Sequence, residues 1–463
     1  MRFLVAVIAL LIPFFSSARQ LTDYVHPWVG SSNFGTTNPG AVCPNGMMSV
    51  SPFNVTGSEK NKWDKDSRWW STPYTSDNCW FTGFSHVNLS GVGCPELGTI
   101  ITMPTSGELS TDYLLYGSEY TGETARPGYY ALKLSKYDIL AEVASTMRSS
   151  IERYTYRKGK AHVIVNLGQG LTNESGGFIR KVSDTEIEGM RLCGGFCYHS
   201  QAVFPQYFVI RVNKSPKEAG FWKKQPNMTA EAAWDEHAGK YKVYTDYARE
   251  MAGDDLGYRF TYDAEDGEQI CVQMGVSFVS CENARQNLDA EQLGCNFDQV
   301  RDGAHRQWEE ALERVKVSGG TEEQKEIFYT ALYHALLHPN VLNDVNGEYP
   351  LMQGGKYAAQ NGIEVVKPGI GKVAKGHNRY TVFSLWDTSR NLHQLLTLAY
   401  PEKQIDMVRS MVDMYKEWGW MPKWELYGRE TFTMEGDPAI PVIADTYLKG
   451  LTDFDIQAAY KAC

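Results

Sequence analysis

Thr321-Glu322-Glu323-Gln324-Lys325-Glu326-Ile327-Phe328-Tyr329-Thr330-Ala331-Leu332-Tyr333-His334-Ala335-Leu336 decides the fold class, because here the hydrophobic period of the chain has become helical. The stretch follows a Gly319-Gly320 break and opens with Thr321 and Gln324 spaced as a capping box. Its spacing predicts that Ile327, Phe328, Ala331, Leu332, Ala335 and Leu336 line one buried face. Just upstream, Glu282 to Val315 is rich in Glu, Gln, Arg, Leu and Ala, with Trp308, Ala311, Leu312 and Val315 at helical spacing, which predicts a helical linker. Downstream, helices are expected from Leu385 to Tyr400 and from Glu402 to Trp418. The second should turn Ile405, Val408, Met411, Val412 and Tyr415 inward and stop at Gly419.

Before the change of period the chain reads differently. From about Tyr24 to Val279 it offers short alternating runs such as Tyr129 to Leu134, His162 to Val165 and Tyr207 to Val212, separated by Gly, Asn, Asp and Ser. Many short strands without a long helical period indicate an antiparallel β-sandwich. The expected plan is therefore α+β and multidomain: a sandwich over 19–280, a helical linker over 281–318 and a helical domain from 319 onward. A length of 463 residues agrees with more than one core. Hydrophobic residues at 43% and charged ones at 22% exclude disorder, and a net charge of −10 argues against nucleic acid or an anionic membrane surface as partner. With Trp 12 and Tyr 27 the chain is well supplied with flat faces that suit sugar stacking, although core filling accounts for most of them.

Residues 1–18 carry one early cation at Arg2, an apolar run from Phe3 to Phe15 and a small-x-small ending at Ser16 and Ala18, the pattern of a signal peptide. The run is too short to span a bilayer and no later segment is a candidate, so an exported protein, periplasmic or secreted, is expected. Nine cysteines at irregular spacing include no CxxC pair, and Cys193 with Cys197 is the expected disulfide. Sequons occur at Asn54, Asn88, Asn173, Asn213 and Asn227.

Two segments concentrate chemistry. Trp424 to Pro438 holds four carboxylates among aromatics and glycines without a clean period, and is read as a loop between helices. A carboxyl set among Trp424, Tyr427 and Phe432 would have its ionised form disfavoured and could serve as a proton donor; solvated loop charges are the plainer reading. In Tyr380 to Arg390, Trp386 beside Asp387 offers a stacking face and an acceptor pair for a sugar, or Asp387 is only a helix N-cap. His334 and His338 have the spacing of helical metal ligands, but no carboxylate lies between them and two ordinary histidines are the better reading. Gly369-Ile370-Gly371-Lys372 lacks the Ser or Thr of a phosphate loop.

Taken in order, Val25-His26-Pro27-Trp28-Val29-Gly30, Pro39-Gly40-Ala41, Gly46-Met47, Gly83-Phe84-Ser85-His86 with Leu89-Ser90-Gly91, and Phe383-Ser384-Leu385-Trp386-Asp387-Thr388 resemble glycoside hydrolase family 92. So do Gly428-Arg429-Glu430-Thr431 and Pro441 to Tyr447. The resemblance implies an exported, calcium-dependent, inverting exo-α-mannosidase, with an N-terminal sandwich joined by helices to an (α/α)6 barrel, of which 319–463 would be the first part. It places the general acid at Glu430, the terminal-mannose subsite at Trp386 and Asp387, and His86 at the same site. It names no calcium ligands in this chain.

The sequence departs from the family at Arg429 for asparagine, Ser389 for an aromatic, and Phe432-Thr433 for Gly-Cys. The family's basic aspartate pair would fall beyond Cys463, so the chain is expected to be a fragment or a shortened paralogue. In either case it should be inactive alone, with Ile443, Tyr447, Leu448 and Leu451 lacking partners. The competing readings are a non-catalytic carbohydrate-binding protein and, further off, an inverting sugar phosphorylase.

Overall fold

The computed structural model describes residues 19–33, 35–56, 71–198, 202–224, 241–245, 248–294, 296–352 and 369–463. The expected signal peptide, the sequon at Asn227 and Cys295 lie outside the described residues. The alternating runs pair as two antiparallel sheets. The first runs in spatial order through Ala41–Val42, Ser49–Phe53, Gly83–Asn88, Leu97–Ser106, Gly159–Asn166, Leu256–Ala264, Glu218–Lys224 and Tyr241–Thr245. The second runs through Glu250–Gly253, Gly177–Lys181, Glu186–Gly194, Val203–Val212, Gln269–Ser277, Ser149–Thr155, Ile139–Ser145, Tyr129–Leu134, Ser118–Arg126 and Trp80–Phe81. One core lies between them, with Val50, Phe84, Met103, Val163 and Phe260 from the first sheet and Leu132, Ala141, Tyr154, Ile210 and Val276 from the second. Register keeps that face together: Val163 stands opposite Phe260 on one side and Pro104 on the other.

The expected linker helices form a layer on the outer face of the second sheet. In Cys281–Gln292, capped by Ser280, Ala284 and Leu288 pack on Val209; in Phe297–Leu312, opened by an Asn296/Gln299 capping box, Phe297 and Val300 pack on Ala144 and Ile151. Trp308, fully buried, donates from Nε1 to the carbonyl of Val42 at 2.6 Å and lies 4.5 Å from the Tyr333 ring, joining sandwich to helical domain.

Helix Glu322–Ala335 carries the expected capping box, but its buried stripe is Tyr329, Leu332, Tyr333 and Leu336, while Ile327 and Ala331 face solvent. Two tyrosines displaced the face: they bury their rings and keep a polar tip, as Tyr329 does by accepting the N–H of Val317 at 3.2 Å. The helix expected over Leu385 to Tyr400 is two, Leu385–Thr388 and Leu392–Ala399. Pro401–Trp418 follows, stopped by Gly419 at φ 94°, a conformation glycine adopts without strain. Leu396, Val408, Met411, Val442, Ile443 and Ala459 share the second core. Ile443 is thus well partnered, against expectation, whereas Tyr447 and Leu448 are exposed. No described helix is long and apolar enough to cross a membrane.

The disulfide is Cys94–Cys197, with Cα atoms 5.3 Å apart, and not Cys193–Cys197. Cys193 is a buried thiol at the inner end of strand Glu186–Gly194, where Thr99 and Gln206 are its neighbours. Sequence proximity misled because the strand ends between the two cysteines and the chain turns away through Gly194 and Gly195.

Candidate active site

The two chemistry-bearing segments, some forty residues apart in sequence, meet in one small sheet of Phe383–Ser384, Trp424–Leu426 and Arg429–Glu430. Phe383 pairs with Glu425, Ser384 with Trp424, Glu425 with Glu430 and Leu426 with Arg429. The segment read as a loop is therefore a hairpin, whose strands are too short to display a period of two. Its turn passes through Tyr427 (φ 48°) and Gly428 (φ 79°). A Cβ on Gly428 would come within 3.2 Å of the carbonyls of both Pro350 and Leu351, and with its positive φ the position favours glycine.

Glu430 is almost fully buried, and three backbone groups point at it. Its Oε1 accepts the N–H groups of Trp424 (3.0 Å) and Phe432 (2.9 Å), and its Oε2 accepts that of Lys423 (2.8 Å). Burial raises the carboxyl's pKa; the three N–H donors and the charge of Lys423 oppose it, and burial prevails. Oε1 has spent both acceptor positions while Oε2 keeps one, so a retained proton sits on Oε2. The peptide unit that joins Lys423 to Trp424, whose N–H donates to Oε1, accepts at its carbonyl the N–H of Leu385 at 3.2 Å. One peptide therefore holds the carboxyl of Glu430 and the residue before Trp386.

Across the hairpin Glu425 is fully buried. Its Oε1 accepts from Gly428 N–H (2.7 Å) and Thr381 Oγ1 (3.1 Å), and its Oε2 meets no donor. Burial pushes its pKa to about 8. With the folded pKa raised, both states hold the proton at low pH. Between about 4.5 and 8 the unfolded chain releases it first, so this group's penalty on folding grows across that window and is constant above it. Glu425→Gln, which cannot ionise, should gain stability relative to the parent as pH rises from 5 to 9. Denaturant midpoints at both pH values check this, and a difference independent of pH would refute it.

Trp386 and Asp387 sit on the single turn Leu385–Thr388, which the sheet presents to solvent. Trp386 is 40% exposed, with the Arg390 guanidinium 4.7 Å over its ring, and Asp387 is exposed and accepts from Ser384 Oγ at 2.5 Å. Ser384, not Asp387, holds the N-cap position. His86 is not part of this group. Strand Gly83–Asn88 is buried along its whole length, and the imidazole lies inside the sandwich, where Nδ1 donates to Ile100 O (2.7 Å) and Nε2 pairs with Glu152 (2.7 Å). Glu152 in turn accepts from Thr102 Oγ1 at 2.8 Å and from the Tyr154 hydroxyl. His338 lies past the end of its helix, its Nε2 accepting the Ser90 N–H at 3.0 Å, so it does not share a helix face with His334.

The sandwich supplies the floor, which no local pattern announced. Phe196 lies 4.4 Å from the Trp424 ring, Phe278 and Phe204 lie 3.9 and 5.2 Å from Tyr427, and Arg429 Nε donates to Val203 O at 2.9 Å. Burial lowers the Arg429 pKa to about 10. The Cys94–Cys197 bond anchors the residue next to Phe196, tying the hairpin's floor to the sandwich. A cavity of about 410 Å³ opens between Tyr349, His377, Arg409 and Lys416, and neither Glu430 nor Trp386 lines it. Among the described residues no group of three or more His, Cys, Asp or Glu side chains is placed to hold a metal ion.

Family models match the chain over most of its length: the glycosyl hydrolase family 92 N-terminal domain over residues 24–277 and the glycosyl hydrolase family 92 catalytic domain over residues 283–463. A family 92 α-mannosidase from Bacteroides thetaiotaomicron is similar in structure, with TM-score 0.82 and 29% identity over 96% of this chain and 56% of that one. It is also known in complex with mannoimidazole. An inverting mannosidase of the same family from Bacteroides thetaiotaomicron shares the fold, with TM-score 0.75 and 23% identity over 96% of this chain and 55% of that one. An uncharacterized secreted glycosidase of Arthroderma benhamiae is 24% identical over 95% of this chain and 51% of its own length. The chain thus spans about half the length of these relatives.

Proposed function

Because this chain belongs to glycosyl hydrolase family 92, we propose that it serves the hydrolysis of terminal α-linked mannose from glycans of N-glycan or mannan type, with Glu430 as general acid. The observation that carries this reading is the buried Glu430 carboxyl, joined through the peptide between Lys423 and Trp424 to the turn bearing Trp386 and Asp387. In a single displacement the proton on Oε2 passes to the glycosidic oxygen as the bond from that oxygen to the anomeric carbon breaks. In the same displacement water forms the new bond from the opposite face and loses its proton to a second carboxylate. Inverting sites keep the two carboxyls about 6.5 to 9.5 Å apart to admit that water. No residue of this chain is assigned as that base. The (α/α)6 barrel is proposed from the same resemblance, and export by a leader at 1–18 from the pattern of that segment.

In this reading Trp386 stacks on the mannose ring and Asp387 accepts from its hydroxyls. Trp386→Ala should raise KM about tenfold with a smaller change in kcat, the mark of lost ground-state binding. Steady-state kinetics of the full-length protein on a mannobiose check it, and an unchanged KM removes Trp386 from the subsite. The anomer first released, read by proton NMR before mutarotation, tests inversion; binding of mannosides without any release would favour the carbohydrate-binding reading.

Calcium is proposed on the resemblance alone. A hard dication takes six to eight oxygen ligands; no group of three or more acidic side chains among the described residues is placed to hold one, and no step is derived through it. Exhaustive chelation should abolish turnover and added calcium should restore it; turnover that survives chelation excludes the requirement.

A further inference from the structure

We propose that Phe432 is the platform on which the leaving sugar rests while Glu430 protonates it, so that this side chain sets which aglycones the protein accepts. The inference rests on Glu430 being the acid. A general acid of this kind stands beside the glycosidic oxygen, so the leaving ring lies against whatever surface borders the carboxyl on its solvent side. From Arg429 to Phe432 the side chains of Arg429, Glu430 and Thr431 are all buried, and Phe432 alone of the four reaches solvent, with 45% of its surface exposed. Its backbone is fixed to the reacting group, because its N–H donates to Glu430 Oε1 at 2.9 Å.

The conformation is unusual for an aromatic residue. Phe432 has φ 54° and Met434 φ 69°, in the left-handed region that non-glycine residues enter at a cost, and such cost is retained where a side chain must point in a particular direction. Here the two residues turn out two exposed apolar side chains beside a buried acid. Trp418 backs the Phe432 ring at 6.1 Å, which limits its swing. An aromatic face held this way suits the C–H face of a pyranose.

The test compares α-mannosyl fluoride, which has no aglycone ring, with a mannobiose, in the protein as the cell makes it. Phe432→Gly suits the positive φ and keeps the N–H that holds Glu430; Phe432→Leu keeps bulk without a flat face and serves if the glycine variant loses its fold by circular dichroism. For either variant kcat/KM on the mannobiose should fall about tenfold, mainly through KM, while the fluoride stays within about twofold. Equal losses on both substrates would mean that Phe432 acts only through Glu430, and no loss on either would mean that the ring is not a platform; each overturns the proposal. If the parent releases mannose from neither substrate, it is the mannosidase reading that fails.

Discussion

In the full-length protein that supplies the second carboxylate, Glu430→Gln should cut turnover on mannosides with poor leaving groups by about 10²-fold or more. The substitution preserves shape but removes the transferable proton. The amide oxygen can still accept from Trp424 and Phe432, while the amide nitrogen must face the Lys423 N–H, so one hydrogen bond is lost and the hairpin otherwise persists. Selectivity separates chemistry from damage: a dinitrophenyl mannoside or mannosyl fluoride needs little proton assistance and should lose far less. The parent rate on poor leaving groups should also decline as pH rises through the elevated Glu430 pKa, because only the protonated form can donate. Stopped assays with both substrate classes decide the matter; unchanged turnover on the poor leaving groups would remove Glu430 from the role.

Trp308→Ala should destabilise the protein by about 3–5 kcal/mol, the range for truncating a fully buried tryptophan. Two losses combine at this position. The cavity opens against the Tyr333 ring in the helical core, and the Val42 carbonyl, which accepts from the indole at 2.6 Å, is left without that donor. Trp308→Phe should recover part of the packing and none of the hydrogen bond, giving an intermediate value. Chemical denaturation followed by circular dichroism measures both, and a cost below about 1 kcal/mol for the alanine variant would contradict the joining role assigned to this side chain.

Much of this organisation was legible in the sequence, and the failures have physical causes. Strand alternation and the helical period from Thr321 onward are local signals, and both reappear as the sandwich and the capped helix Glu322–Ala335. The buried face of that helix was misplaced because Tyr329 and Tyr333 bury apolar rings behind hydroxyls that count as polar. Glu430 could be singled out by motif and Trp386 with Asp387 by type, but their adjacency could not be seen, since it depends on pairing between strands of two or three residues. His86 was expected at the site, but a motif gives a residue's position along a strand and not its depth, and here the whole strand is buried in the sandwich with the imidazole held by Ile100 and Glu152. Phe196, and the bond from Cys197 to Cys94 that steadies it, come from across the fold and leave no trace in local spacing.

The peptide between Lys423 and Trp424, gripping Glu430 with its N–H and Leu385 with its C=O, makes the candidate acid and the turn that bears Trp386 parts of one rigid body. Thermal motion of the small sheet against the sandwich then carries both together, and the separation between proton donor and ring stays nearly constant while their shared position varies. Placement errors of this kind alter how the pair meets the rest of the protein and leave the pair's own geometry intact. A sugar stacked on Trp386 would therefore ride with its acid.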